Sequence, residues 1–150
     1  MNIFSSIIIL VVLVMVGCSD APASAPSTPQ ANFGAFTPGW RTHGFGLTVE
    51  PDGKASAGWR IYKWCFDDPA PPCDEMRDSM ITPGGEATLV FDSADGFTAT
   101  GRVTFTSDPD TLPVGPITLT LLQRGRAALQ VGGVVITLCG VNSSEECGGA

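Results

Sequence analysis

The sequence has few basic residues and a single histidine. Eight Lys and Arg stand against fifteen Asp and Glu, which gives a formal net charge of −7 at pH 7. Phosphate backbones and anionic headgroups repel such a chain, so we expect no nucleic-acid partner. The closely spaced CxxC or CxxH pairs of a zinc site are also missing, and we predict no metal and no cofactor.

The sequence also lacks a recognisable catalytic motif, so we predict no catalytic residue and no enzymatic activity. His43 falls on the predicted apolar face of a strand near Ile61, and no signature places Ser or Cys beside it. We therefore expect a buried structural histidine. Asp67-Asp68 and Ser107–Thr111 could offer oxygens to Ca²⁺, but turn chemistry accounts for both segments without a metal.

The longest apolar run is too short to cross a membrane as a helix. It extends from Ile3 to Val16, about 14 residues against the roughly 20 that a span needs, and it carries no charge. This length suits the core of a signal peptide that is removed after export. The run ends in Met15-Val16-Gly17-Cys18, and a small residue followed at once by Cys resembles the lipobox of bacterial lipoproteins. The resemblance implies that Cys18 is acylated.

We therefore divide the chain into three regions. Residues 1–17 are a lipoprotein signal peptide, 18–32 are the lipidated Cys18 with a disordered Ala/Pro/Ser linker, and 33–150 are one β domain. In a polyproline-like conformation of ~3.1 Å per residue, the linker would lift the domain roughly 30 Å from the membrane. Acyl chains would hold the protein on the outer face of the cell membrane. The alternatives are a secreted form and retention by an uncleaved N-terminal helix.

The other four cysteines form two pairs of equal spacing. Cys65 precedes Cys73 by the same number of residues as Cys139 precedes Cys147. Export favours oxidation, and the short separation within each pair favours local closure. We predict the disulfides Cys65–Cys73 and Cys139–Cys147. Each short ring should contribute roughly 2.5 kcal/mol to stability.

Beyond residue 40 the chain has almost no helical periodicity. Short stretches of alternating apolar and polar residues are separated by Gly, Pro and Asp, which is typical of antiparallel β-structure. We predict an all-β fold of about seven strands, arranged as a small antiparallel sandwich or a partly open barrel. One helical turn is expected over 74–80.

Two hairpins can be predicted with their register. Glu50–Lys54 combines Pro and Asp at the centre of a turn with Gly at a left-handed position, and Ser93–Phe97 repeats this pattern. A three-residue loop in each case turns the apolar residues of both strands to one face. The predicted pairs are His43–Ile61, Phe45–Trp59, Leu47–Ala57 and Val49–Ala55 in the first hairpin, and Phe91–Ala99, Leu89–Gly101 and Ala87–Val103 in the second.

The outward face of the first hairpin is the candidate binding surface. The alternation that buries Trp59 and Ile61 turns the next residues outward. This predicted surface consists of Arg60, Tyr62 and Trp64, with Gly44 and Gly46 as a neighbouring strip without side chains. Aromatic rings beside such a strip suit a sugar ring or a loop of a partner protein. The alternative is that residues 66–80, held by Cys65–Cys73, cover the rings as a second small core.

Several segments of the predicted β domain together carry a resemblance. They are Leu47–Gly53, Trp59–Cys65, Pro71–Asp74, Leu112–Leu121 and Leu138–Gly140. These segments resemble a family of small exported proteins and lipoproteins of mycobacteria, related actinobacteria and their phages. The resemblance covers most of the folded part of the chain. It implies an envelope protein encoded by an actinobacterium or its phage, and it carries over no activity and no site residue.

Two functions fit these observations. The first is a non-enzymatic, membrane-tethered module that binds an envelope protein or a glycan, for example a phage-encoded lipoprotein that excludes a second phage. The second is a secreted hydrolase of the cell envelope, or an enzyme inhibitor, on a small β scaffold. An enzyme would need a cleft with convergent polar groups and a perturbed titratable residue.

Overall fold

The computed structural model describes residues 31–37, 39–141 and 143. The predicted signal peptide, Cys18, nearly all of the predicted linker and Cys147 lie outside the described residues. Within these ranges, no helix combines the length and the apolar character that a membrane span requires.

The protein is all-β, as predicted, and its main sheet closes into an antiparallel barrel of eight strands. Each barrel strand pairs with its neighbours along the chain, and the first strand closes the barrel by pairing with the last. The strands are β1 (Trp40–Thr42), β2 (Phe45–Val49), β3 (Lys54–Trp59), β4 (Glu75–Arg77), β5 (Met80–Thr82), β6 (Gly85–Asp95), β7 (Thr98–Thr106), β8 (Gly115–Leu122), β9 (Arg126–Val131) and β10 (Val134–Gly140). The hairpin β4–β5 stands apart from the barrel, in the connection between β3 and β6.

The antiparallel order defines two ends of the barrel. At the entry end, the chain arrives from residue 31 through a 3₁₀ turn at Gly34–Phe36, and the turns after β2, β6 and β8 lie there. The opposite end carries the turns after β1 and β9, the loop 107–114 and the long connection 60–84. We call residues 60–84 the insert and this end of the barrel the insert end.

Side chains fill the barrel and close both of its ends. Alternate residues of every barrel strand point inward, and Leu89, Leu119 and Leu129 are completely buried. At the entry end Phe36 is 1% exposed, and its carbonyl accepts a hydrogen bond from the Trp40 indole at 2.7 Å. Phe33 is buried near the entry end, and Trp59 and Leu112 are buried near the insert end. The interior is therefore a packed core, as expected of a barrel this small.

The first predicted hairpin has the predicted register. Phe45 pairs with Trp59, Leu47 with Ala57 and Val49 with Ala55, and the rings of Phe45 and Trp59 stack with centroids 5.8 Å apart. Gly53 has φ +86°, and a Cβ there would meet the Phe33 ring. The turn chemistry and the apolar pattern were together sufficient to fix this pairing.

The predicted register of the second hairpin is wrong. The turn has two residues, Gly96 and Phe97, because Asp95 pairs with Thr98. A register shift between Phe91 and Ser93 then sets Phe91 opposite Gly101 instead of Ala99. A Cβ on Gly101 would collide with the backbone of Val90 and Phe91, so glycine suits this close approach. The bulge restores the alternation, and the predicted inward side chains of Ala87, Leu89, Phe91, Ala99 and Val103 are buried despite the shifted pairs.

The helical turn predicted over 74–80 is also wrong, because this segment forms the β4–β5 hairpin. Arg77 pairs with Met80, and the two residues between them, Asp78 and Ser79, have φ of 48° and 65°. Positive φ at both central residues is the geometry of a tight β-hairpin turn.

Candidate binding surface at the insert end

A disulfide and a buried carboxylate hold the insert in place. Cys65 and Cys73 are bonded as predicted, with their Cα atoms 5.1 Å apart. Beside this ring, the Cys65 amide donates to the Asp74 carbonyl at 3.0 Å, and the Asp74 amide donates to the Lys63 carbonyl at 2.6 Å. Cys139 is also disulfide-bonded, and its predicted partner Cys147 lies outside the described residues.

Asp74 is the centre of this arrangement. It is the one charged or polar residue in the described part of the chain that is fully buried, at 0% exposure. Its carboxylate accepts a hydrogen bond from Arg60 Nε at 2.6 Å. It also accepts backbone hydrogen bonds from Ile61 at 3.0 Å, Tyr62 at 2.9 Å and Gly84 at 2.9 Å. One carboxylate thus joins the beginning of the insert to its end.

The surroundings of Asp74 keep it ionised. Burial raises the pKa of this carboxyl, but the Arg60 guanidinium and the amides of Ile61, Gly84 and Tyr62 more than offset that effect and lower the pKa to about 2. Asp74 was not predicted as a site residue from the sequence. The one available signal was its position directly after a cysteine predicted to be bridged.

The predicted surface residues meet in a stack of rings around the Arg60 side chain. Arg60 Cζ lies 4.9 Å from the centre of the Tyr62 ring and 5.3 Å from that of Trp64. His43 stacks on Tyr62 with centroids 6.2 Å apart, and Phe66 stacks on Trp64 with centroids 5.7 Å apart. We call these five residues the aromatic ladder. Cation–π and stacking contacts therefore run continuously from the β1–β2 turn into the insert.

The insert does not cover the aromatic ladder. Tyr62 is 61% exposed and Phe66 is 76% exposed, while Trp64 is partly buried. The alternative prediction, in which residues 66–80 cover the rings as a second small core, is therefore wrong. Sequence reasoning missed Phe66, which carries the ladder outward beyond Trp64.

The two predicted glycines have different surroundings, and His43 is not where it was predicted. A Cβ on Gly44 would meet the Tyr62 hydroxyl, so Tyr62 fills that part of the expected slot, whereas Gly46 has open space around its Cα. His43 is exposed in the β1–β2 turn, so the prediction of a buried histidine is wrong. The physical reason is that β3 ends at Trp59, and the His43–Ile61 pair that would have buried the imidazole does not form.

The backbone at Tyr62 is unusual for an aromatic residue. Its φ is +61°, in the left-handed region that a side chain with a Cβ rarely adopts. This conformation costs about 1 kcal/mol for a residue other than glycine. The hydrogen bond from the Tyr62 amide to Asp74 holds the residue there. The exposed direction of the ring is thus set by the buried carboxylate and not by strand alternation.

Lowering the pH should weaken the insert through Asp74. Its pKa is about 2 in the folded protein against an ordinary value of 3.8. The ionised carboxylate therefore contributes stability above pH ~4 that is lost as the pH falls toward 2, about 2 kcal/mol in all. Urea unfolding at pH 5, 4, 3 and 2 should show this loss. The Asp74→Asn variant should lack this part of the pH dependence, and equal slopes for both proteins would contradict the assignment.

The described residues offer little else that could bind a metal ion or a small molecule. None of their His, Cys, Asp and Glu side chains form a group of three or more that could hold a metal ion. A pocket of about 290 Å³ lies at the entry end, and its lining residues include Thr37, Trp40, Arg124 and Ser143. The ladder does not line this pocket, so the predicted surface and the pocket occupy opposite ends of the barrel.

The insert end offers a binding partner a contact surface of fixed shape. Aromatic rings and a guanidinium give a partner apolar surface together with directed donors, at a low cost in side-chain entropy. The arrangement is suited to binding. No protein-family model, curated protein or solved structure matches the chain.

Proposed function

We propose that the protein is an exported, membrane-tethered binding module that is not an enzyme and holds its partner on the aromatic ladder. The observation that carries the proposal is that a fully buried carboxylate holds Arg60 and the Tyr62 backbone, and the exposed stack of rings extends from these two residues. Tyr62 and Phe66 are mostly exposed, while Asp74 is 0% exposed. Burying a charge costs free energy unless the charge is fully paired. A carboxylate buried to position exposed rings is best explained if those rings have a function.

The distribution of exposed apolar residues supports this surface. Five of the twelve exposed large hydrophobic residues in the described part of the chain come from the insert. These five are Tyr62, Phe66, Met76, Met80 and Ile81. Aromatic residues, Met and Arg are the residue types enriched at protein interfaces. Exposed hydrophobic residues that are scattered singly are normal, but a concentration of them in one segment indicates an interaction site.

Rigidity also supports a binding role. The Cys65–Cys73 ring, the four hydrogen bonds on Asp74 and the stacking along the ladder order the surface before any partner arrives. A surface ordered in advance loses less conformational entropy on association. Affinity can then come from a few anchoring side chains, as is usual at interfaces.

The topology separates the ladder from the end of the barrel at which the chain enters. The described chain starts at residue 31 on the entry end, and the insert lies at the opposite end of the barrel. If Cys18 carries the lipid, the linker joins the barrel at the end opposite the ladder. The linker then leaves the ladder accessible to partners in the envelope or outside the cell.

One form of this role is a phage-encoded lipoprotein that excludes a second phage. The lipobox-like end of the apolar run at Cys18 and the resemblance to envelope proteins of actinobacteria and their phages support it. In that form the partner would be an envelope protein that the incoming phage needs. A glycan of the envelope is the other partner class that an aromatic surface fits.

Site-specific photocrosslinking tests the proposal. The photoreactive analogue p-benzoylphenylalanine replaces Phe66 in the full chain, which is expressed and exported in an actinobacterial host and then irradiated in intact cells. We expect a discrete adduct at position 66 that is lost when Tyr62→Ala is added. Mass spectrometry of the adduct identifies the partner as protein or glycan.

Phe97 supplies the matched control. It is 74% exposed against 76% for Phe66, and it lies at the entry end. The same analogue at position 97 should not give this adduct. Equal adducts from both positions, or no adduct from position 66, would refute the proposal.

A further inference from the structure

Part of strand β10 has no neighbour on one side. β10 pairs with β9 from Val134 to Cys139, but it pairs with β1 at two positions, Cys139 and Gly140. No strand among the described residues pairs with 134–138 on the β1 side. This leaves an open strand edge at the insert end of the barrel.

The turn before β10 shows which backbone groups are unpaired. Gly132 and Gly133 have φ of 52° and 89°, the signature of a two-residue hairpin turn, and Val131 and Val134 flank it as a pair. In such a hairpin the flanking pair exchanges both hydrogen bonds, and the bonding direction then alternates along the strand. Val135 and Thr137 therefore direct their N–H and C=O groups toward the open edge.

A second open edge in the same barrel is protected by charge. β6 extends beyond its pairing with β3, which ends at Val90, so Asp92–Asp95 has no strand partner on that side in the described structure. Asp92 and Asp95 stand on this edge, and charges there discourage pairing with another chain. The β10 edge has no such device. Its sequence is Val134-Val135-Ile136-Thr137, and Val135 is 60% exposed.

The unprotected edge lies beside the aromatic ladder. Arg41 pairs with Cys139, and extending that register would bring His43 level with Thr137. The chain instead turns at His43 and Gly44 to enter β2, and His43 stacks on Tyr62. A strand added to β10 would therefore run past the β1–β2 turn, with the ladder at its side.

We propose that the open edge of β10 binds an extended segment of a protein partner by β-strand addition. This inference rests on the proposed function and names the class of partner. The N–H and C=O groups of Val135 and Thr137 pair with the segment's backbone, and its alternate side chains meet the ladder. Five β10 residues at ~3.3 Å each give a length of roughly 17 Å, enough for a short peptide strand.

Charge favours a neutral or basic segment over a second copy of this chain. The whole chain has a net charge of −7, so two copies repel each other. Within the insert, each of the three basic residues is ion-paired with an acidic one, and two acidic residues are left over. The pairs are Arg60–Asp74, Lys63–Asp68 and Arg77–Glu75, and the remaining residues are Asp67 and Asp78.

The test uses the exported full-length protein and the labelled peptide Lys-Val-Thr-Val-Thr-Val-Lys. Binding is measured by fluorescence anisotropy, and amide hydrogen exchange is measured at Val135 and Thr137. We expect the peptide to slow exchange at both amides. Val135→Pro removes a donor on the open edge and no hydrogen bond of the barrel, so it should weaken binding roughly tenfold or more. Val135→Ala keeps the backbone and should bind within about twofold.

The peptide backbone gives a second measurement that does not depend on how well Val135→Pro folds. N-methylation at alternate peptide residues should abolish binding in one parity and spare it in the other, because one set of amides faces β10. Equal effects of both parities would overturn the proposal. So would unchanged exchange at Val135 and Thr137, absence of peptide binding, or a dimer in sedimentation that Val135→Pro dissolves. Loss of the Phe66 adduct with intact peptide binding would instead reject the proposed function alone.

Discussion

Asp74→Ala should unfold the insert and remove the aromatic ladder while the barrel stays folded. The substitution leaves the amides of Ile61, Tyr62 and Gly84 without their acceptor and leaves Arg60 without its ion-pair partner. Removing one partner of a buried ion pair costs about 3–5 kcal/mol, and each unsatisfied buried amide costs about 1–3 kcal/mol. The loss exceeds what a small insert can sustain, so we expect local unfolding of residues 60–84.

Hydrogen exchange separates local unfolding from global unfolding. Amides of the insert should lose their protection from exchange in Asp74→Ala. Amides of β7, β8 and β9 should keep most of their protection, because the insert connects β3 to β6 and none of these three strands is joined to it. Urea unfolding followed by Trp fluorescence should show a lower midpoint. Full protection of the insert in the variant would contradict the role assigned to the carboxylate.

Asp68→Ala is the matched control for this prediction. Asp68 also pairs with a basic residue of the insert, Lys63, at 2.7 Å, but its side chain is 55% exposed. Exposed ion pairs contribute up to about 1 kcal/mol. A comparable loss of stability in Asp68→Ala and Asp74→Ala would show that burial is not what gives Asp74 its effect.

Local rules predicted the fold where one turn determines the pairing. The loop over Glu50–Lys54 fixed the register of β2 and β3, because its Pro, Asp and Gly leave one turn geometry that also buries the apolar face. The loop at Gly96 did not, because a bulge near Asp92 shifts the pairs and preserves the alternation. Two registers with the same buried face cannot be told apart by hydrophobic pattern alone.

The exposure of Tyr62 has a different cause from the one that the sequence pattern suggested. Alternation along an extended strand placed Tyr62 and Trp64 outward, but β3 ends at Trp59, and Tyr62 has a left-handed backbone. Asp74 imposes that conformation from a position later in the chain. A carboxylate buried by tertiary contacts has no local sequence signature, so neither Asp74 nor the exposure of His43 could be derived from spacing.

Phe36→Ala should destabilise the whole barrel by about 3–5 kcal/mol, as truncation of a buried Phe usually does. Phe36 is 1% exposed, and the 3₁₀ turn that carries it positions its carbonyl for the Trp40 indole. Domains of this size are stable by about 5–15 kcal/mol, so urea unfolding of the variant should show a large fall in midpoint with an unchanged slope.

Phe97→Ala provides the comparison, because Phe97 is also at the entry end but is 74% exposed. Its removal should change stability by no more than about 0.5 kcal/mol. A change below about 1 kcal/mol for Phe36→Ala would mean that the segment before β1 is not part of the core. The expected large change means that the segment carrying Phe33 and Phe36 is part of the barrel core.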